Sequence, residues 1–198
     1  MDTERRGKFR SPQSAARSLR TEAALSDHPD RGPRATGCEP DYNSNMYPTV
    51  LLLHSWLRWV VILLGLVATI RAIAGASSRR PWVRIDDTIS KLFARTLDVQ
   101  MLLGLVLYFF LSPITTAALS DFMGSMKVAG MRFWSVEHWF GMVIGIALVH
   151  VGIGRAGRAT DGPQKHRILA IFFVLAMIAI LAAIPWPGRP YGRPLIRW

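Results

Sequence analysis

Apolar residues are concentrated in four long stretches of the chain, and mainly polar residues precede the first of them. The four stretches cover residues 49–73, 92–112, 133–153 and 168–186. A helix needs about 20 largely apolar residues to cross the hydrocarbon core of a bilayer. Each stretch is close to that length and is apolar around its whole circumference, unlike the one-sided helices of soluble bundles. The pattern predicts an all-α fold, an up-down four-helix transmembrane bundle.

The connections between the predicted spans are short, which favours helices that alternate in direction. Loop one covers 74–91 and loop three covers 154–167, and both are basic. Loop two, 113–132, is rich in small and apolar residues, and we expect a short interfacial helix over 117–128. Four prolines between 185 and 198 stop the last helix and keep the end of the chain extended.

Residues 1–45 differ in composition from the rest of the chain. They contain eight Lys or Arg and seven Asp or Glu, with hardly any large apolar residues. Such a segment cannot bury enough apolar surface to offset the entropy of ordering, so we predict a disordered tail. Met46 stands immediately before the first apolar stretch, which leaves two alternatives open. Residues 1–45 are a targeting or interaction tail, or translation starts at Met46 and the membrane domain, 46–198, is the whole protein.

The formal net charge is +11, and a basic chain can indicate nucleic-acid binding. Here the basic residues flank apolar spans, so anionic lipid headgroups explain them better and no nucleic-acid partner is expected. Counted from Met46, the side with loops one and three holds ten Lys or Arg and the other side holds six. The positive-inside rule therefore places loops one and three in the cytoplasm and both termini outside.

Four histidines lie near the ends of the predicted spans, and up-down topology sorts them into two pairs. His54 and His138 fall at the outer end of the bundle, and His150 and His166 fall at the inner end. An ionisable residue in or near the bilayer is a functional-site hypothesis by default. Two imidazoles at similar depth on different helices are what axial ligation of a b-type haem requires. All four are therefore candidate cofactor-binding residues, with His54 and His138 as the candidate iron ligands.

Two charged residues accompany the outer pair. Arg58 lies four residues after His54 on the same helical face, and Glu137 directly precedes His138. Arg58 could hold a haem propionate by charge-assisted hydrogen bonds, or it could form an ion pair with Glu137. Both alternatives place the first and third helices side by side. Glu137 could also orient a metal-bound imidazole by accepting a hydrogen bond from its ring N–H.

The inner pair has simpler explanations. His138 and His150 are twelve residues apart, about 120° off a common helical face, so one face of the third helix does not present both. His166 stands between two basic residues, where a solvated interfacial histidine is the ordinary expectation. Asp98, at the start of the second span, either pairs locally with Arg95 or contacts a proton or quinone path.

Small residues and cysteine complete the candidate chemistry. Gly141 and Gly145 form a G-x-x-x-G sequence that either lets two helices pack closely or opens a slot for a cofactor. The chain has one cysteine, Cys38, and no C-x-x-C-H sequence, which excludes covalent c-type haem attachment. No phosphate-binding loop, dinucleotide-binding glycine turn or zinc-binding H-E-x-x-H is present.

Residues 46–198 resemble a family of small four-helix bacterial membrane proteins that often carry a "cytochrome b"-type label. The likeness rests on LHSWLRW (53–59), LDVQMLLG (97–104), RFWSVEH (132–138), KHR (165–167) and AAIPWP (182–187). It implies a four-helix bundle of the cytochrome b561 type, b-type haem and a place in the bacterial inner membrane. Members of this kind commonly begin near the position of Met46, which favours the late start.

Two functions follow as expectations. The first is a b-type cytochrome-like electron-transfer protein or subunit, with haem b between the first and third helices and a quinone or a larger membrane complex as partner. The alternative is a non-haem structural or accessory subunit of a respiratory or photosynthetic complex. Either role describes an electron carrier or accessory subunit rather than an enzyme. A transporter has the least support, because the spans show no internal repeat.

Overall fold

A computed structural model of the protein describes residues 42–196. The tail and the late start expected for residues 1–41 lie outside the described residues. The first helix begins at Tyr42, so helix already includes 42–45, which composition had assigned to the tail. Pro48 lies inside this helix, in its second turn, where its missing N–H leaves the carbonyl of residue 44 without the usual helical donor.

Helices joined by turns make up most of the described residues, no strand is found among them, and four long helices are apolar enough to cross a membrane, which confirms the predicted fold. A widened, π-helical turn continues the second long helix at Leu107–Leu111, and another precedes the third long helix at Phe133–Glu137. The four long helices are α1 Tyr42–Ser77, α2 Arg84–Val106, α6 His138–Gly157 and α7 Gly162–Ala183. The three short ones are α3 Pro113–Ser120, α4 Phe122–Ser125 and α5 Ala129–Arg132.

Loop two is more broken than the single interfacial helix expected over 117–128. Helix α3 starts earlier, because the Ser112 hydroxyl accepts the Thr115 backbone N–H at 3.4 Å and Pro113 takes the first helical position. It ends at Ser120, where Asp121 leaves the helical conformation. The Asp121 carboxylate then caps α4 by accepting the Gly124 backbone N–H at 3.0 Å.

The long helices form a ring in which each packs against two others. Helix α1 packs against α2 and α7, and α6 also packs against α2 and α7. Helices α1 and α6 therefore face each other diagonally across the bundle. This corrects the expectation that the first and third helices lie side by side. Their inward-facing side chains can still meet, because both point into the centre of the bundle.

Small residues bring α6 and α7 together most closely. A Cβ atom added at Gly145 would stand 2.6 Å from Ile180 Cγ1, and one at Gly141 would stand 2.6 Å from Ala183 Cβ. Both distances are far below van der Waals contact, so glycine is required for this approach. The G-x-x-x-G sequence is thus part of a helix–helix interface.

Large apolar side chains cover the outside of the bundle, as expected for a surface that faces lipid rather than water. They are found on all four long helices and include Leu63, Ile70, Leu102, Phe110, Phe140 and Ile178. The interior holds smaller apolar residues and a few aromatic ones. Phe93 and Phe173, both fully buried, meet edge to face with ring centroids 5.5 Å apart.

Candidate functional site

A cavity of about 410 Å³ lies inside the bundle at the end where α1 begins and α7 ends. Ligand pockets in proteins are typically about 300–1,000 Å³, so a small molecule or part of a cofactor fits here. The lining is almost entirely apolar and comes from all four long helices. Its polar and charged side chains belong to Tyr47, His54, Ser55, Arg58, Gln100, Tyr108, Ser112, Thr115, His138 and Arg193.

The structure brings His54 and His138 together inside this cavity. His54 comes from α1 and His138 from α6, the diagonal pair of helices. Their ring centroids are 6.4 Å apart, and the ring planes are inclined at 72°. The sequence placed both residues at one end of the bundle, and the diagonal arrangement turns them toward each other.

His138 has a fixed orientation and a defined tautomer. Its Nδ1 lies 2.7 Å from the Ala183 backbone oxygen, and a carbonyl only accepts, so Nδ1 carries a proton and the neutral ring has its lone pair on Nε2. The Ala183 carbonyl is available because its helical partner would be residue 187, a proline without an N–H. Pro185 likewise frees the Leu181 carbonyl, which accepts the Trp186 indole N–H at 2.8 Å. The sequence AAIPWP thus creates the acceptor that orients His138.

His54 is held through its backbone rather than its ring. The Gln100 side-chain amide donates to the His54 carbonyl at 2.9 Å. The His54 Nδ1 atom is buried and has no hydrogen-bond partner among the described residues. Gly104 makes room for the ring, since a Cβ there would stand 3.2 Å from His54 Cε1.

The two π-helical turns supply polar contacts beside the cavity. A π-helical turn shifts the backbone hydrogen bonds and leaves carbonyls without a helical donor. The Ser135 carbonyl accepts the Tyr108 hydroxyl at 2.8 Å and the Trp139 indole N–H at 2.7 Å. The Tyr108 carbonyl accepts the Thr115 hydroxyl at 2.8 Å. These bonds fix α2, α3 and α6 relative to one another at the cavity wall.

Arg58 and Glu137 are not joined as the sequence suggested. Glu137 pairs with Arg132, with Oε1 and Nε 2.6 Å apart. Arg58 Nη2 donates to the backbone carbonyl of Leu195 at 2.7 Å and lines the cavity. The reason is the diagonal placement of α1 and α6, together with an arginine only five residues from Glu137 in the chain. Arg58 therefore stays at the candidate site, whereas Glu137 lies in a local surface pair.

The structure separates the two inner histidines. His150 Nε2 lies 2.8 Å from Asp98 Oδ1, and both side chains are about half exposed. Asp98 therefore pairs with His150 rather than with Arg95. His150 and His166 do not form a pair of ligands. His166 is fully buried, which corrects the expectation of a solvated interfacial residue. Its ring packs against Trp82 with centroids 4.9 Å apart, where the absence of a side chain at Gly75 leaves room for it.

Asp86 is an important residue that the sequence analysis missed. Its carboxylate is buried and accepts hydrogen bonds from Arg71 at 2.6 and 2.9 Å and from Arg80 at 3.1 Å. It also accepts the Val83 backbone N–H at 3.2 Å and so caps α2. An acidic residue three positions after a helix start is a recognisable capping signal. The long-range partner Arg71 has no such signal.

Metal-binding groups are sparse in the part of the chain that the structure describes. No cluster of three or more His, Cys, Asp or Glu side chains is placed to hold a metal ion there.

Comparison with protein-family models, curated proteins and solved structures finds no match to this chain. The candidate site is therefore defined by its own geometry: two facing imidazoles in an apolar cavity with arginines at its edge.

Proposed function

We propose that the protein is a membrane b-type cytochrome-like electron-transfer protein, with His54 and His138 as the two haem ligands. The observation that carries the proposal is the distance of 6.4 Å between their ring centroids across the cavity. Metal–imidazole bonds are about 2 Å long, and each ring centroid lies about 1 Å beyond its nitrogen. Two imidazoles on opposite sides of one metal ion thus have centroids about 6 Å apart.

The surroundings of the two rings also suit this role. Neutral His138 presents its Nε2 lone pair, because Nδ1–H donates to the Ala183 carbonyl, and a hydrogen bond of this kind commonly orients a metal-bound histidine. Two protein ligands are enough for haem, since the porphyrin supplies the remaining nitrogen atoms. Arg58 lines the cavity and is suited to binding a propionate group.

When bound, a haem with two histidine ligands carries one electron between its ferric and ferrous states. The protein's part is to hold the two imidazoles, to exclude water by the apolar lining and to place a cation at the cavity edge. Electron exchange with a quinone or a larger membrane complex fits a chain with four membrane helices. From the family resemblance of residues 46–198 we also propose a bacterial inner membrane. The distribution of basic residues supports loops one and three in the cytoplasm and both termini outside.

A difference spectrum tests the proposal directly. The full chain is expressed with ample haem, purified in mild detergent and measured as dithionite-reduced minus oxidised, and a pyridine haemochrome identifies the porphyrin. We expect a b-type α-band from the wild-type protein. His54→Ala and His138→Ala should each abolish the low-spin signal, because each removes one of two axial ligands.

His150→Ala is the matched control, since His150 pairs with Asp98 near the surface and should leave the spectrum unchanged. A haem-free wild-type protein after haem-replete expression would rule out the cytochrome and leave the accessory subunit. In such a haem-free accessory subunit, His54 and His138 would serve only as packing residues. A signal that survives both histidine substitutions would also contradict the assignment of the ligands.

A further inference from the structure

The chain after α7 folds back over the end of the bundle that holds the cavity. The Arg193 backbone N–H donates to the Pro185 carbonyl at 3.0 Å, which turns the chain. The Tyr191 ring stacks on Phe133 with centroids 3.7 Å apart and planes inclined by 6°. The Leu195 carbonyl accepts hydrogen bonds from Arg58 at 2.7 Å and from the Trp59 indole N–H at 3.0 Å. These contacts tie the segment to α1 and to the turn before α6.

The path of the chain after α7 brings one basic side chain to the cavity. Arg193 lines the cavity, and its guanidinium lies over Trp134 with Cζ 5.1 Å from the ring centroid. Arg58, which also lines the cavity, donates a hydrogen bond to the carbonyl of Leu195, two residues after Arg193. None of the ion pairs among the described residues includes Arg193. The cavity is thus apolar inside and carries positive charge where the chain end covers it.

We propose that Arg193 is a ligand-binding residue that recognises a carboxylate group of the cofactor. The proposal rests on the proposed haem function and deepens it. An apolar cavity with a cation at its edge favours a ligand that has an apolar body and carboxylate groups at one side. Haem is such a ligand. A guanidinium forms two parallel hydrogen bonds to a carboxylate, which gives direction as well as charge. The chain end is therefore part of the binding site.

A comparison of two porphyrins isolates this interaction. Haem-free full-length protein is titrated in detergent with ferric protoporphyrin IX and, separately, with its dimethyl ester, which lacks both carboxylates. Arg193→Gln should weaken binding of the free acid about tenfold and leave binding of the ester unchanged, because only the acid can pair with the guanidinium. Arg193→Lys, which keeps the charge but not the paired donors, should lose less.

Two further variants separate binding from folding of the segment. Arg189→Gln changes an exposed arginine of the same segment, which among residues 42–196 hydrogen-bonds through its side chain to the Tyr191 hydroxyl alone, at 3.5 Å, and should leave both affinities unchanged. Tyr191→Leu removes the stack on Phe133 and should weaken binding of the acid more than that of the ester.

The outcomes distinguish the two proposals. Wild-type protein that binds neither porphyrin overturns the haem function and the role of Arg193 with it. Wild-type protein that binds both porphyrins, with Arg193→Gln equally weakened for each or for neither, overturns only the role of Arg193. Selective loss of the free acid supports both.

Discussion

Asp86 connects three segments of the chain at the end of the bundle away from the cavity. Its buried carboxylate joins α1 through Arg71, the first connection through Arg80, and the start of α2 through the Val83 backbone. A buried charge is expensive unless it is paired, and removal of one partner leaves the others uncompensated. Both arginines remain partly exposed, so water reduces that penalty but does not remove it.

We therefore expect Asp86→Asn to lower the free energy of unfolding by about 2–3 kcal/mol. Chemical unfolding in mixed detergent micelles measures it. Asp87→Asn is the control at the neighbouring position, where an exposed carboxylate pairs with Lys91 at 2.8 Å within one helix. That change should cost less than about 1 kcal/mol. Equal effects of the two substitutions would show that burial of Asp86 contributes nothing.

At the scale of the helices, the interface of α6 and α7 determines how the cavity is built. Gly141 on α6 faces Ala183 on α7, and Ala183 is the residue whose carbonyl orients His138. The same interface that packs the two helices thus sets the position of a candidate ligand. Helix spacing and site geometry cannot change independently here.

Gly141→Ala should destabilise the bundle by about 1–3 kcal/mol, because the new methyl group meets the Ala183 methyl and one helix must move. Gly154→Ala provides the control on the same helix, since a Cβ there meets nothing within 4 Å. Its effect should be neutral or stabilising by up to about 1 kcal/mol. Thermal unfolding in detergent compares the two. Unchanged stability of Gly141→Ala would contradict the close packing of these helices.

For the whole molecule, alternation of four spanning helices puts the two polar centres at opposite ends of the bundle. The cavity with His54 and His138 lies at the end with loop two and the chain end. Asp86 and His166 lie at the end with loops one and three. Under the proposed orientation, the candidate cofactor site faces the outside, and Asp86 and His166 face the cytoplasm.

Labelling of single cysteines tests this orientation in intact cells. Cys38→Ser removes the native cysteine, and Ser78→Cys or Ser120→Cys then marks loop one or loop two, since both serines are exposed. A maleimide that does not cross membranes should react with Ser120→Cys at once. It should react with Ser78→Cys only after permeabilisation. The reverse pattern would invert the topology and place the cavity at the cytoplasmic face.

Much of the candidate site could be predicted from single residues. His54, Arg58 and His138 were identified because ionisable side chains in apolar spans require an explanation. The prolines at 185 and 187 indicated where α7 ends. Gln100, Tyr108 and Arg193 were not recognised as parts of the site, because each acts through a partner far away in the chain. Such partners depend on helix rotation and on which helices are neighbours.

The sequence by itself determined that the chain forms four long apolar helices, that prolines end the last one and which end of the bundle holds each histidine. These properties follow from hydropathy, from proline and from helix length, all of which are local. Only the tertiary structure decided that α1 and α6 face each other diagonally, that Glu137 pairs with Arg132 and that His166 is buried. Those outcomes follow from the packing of side chains between helices, as where small residues at 141 and 145 bring α6 against α7.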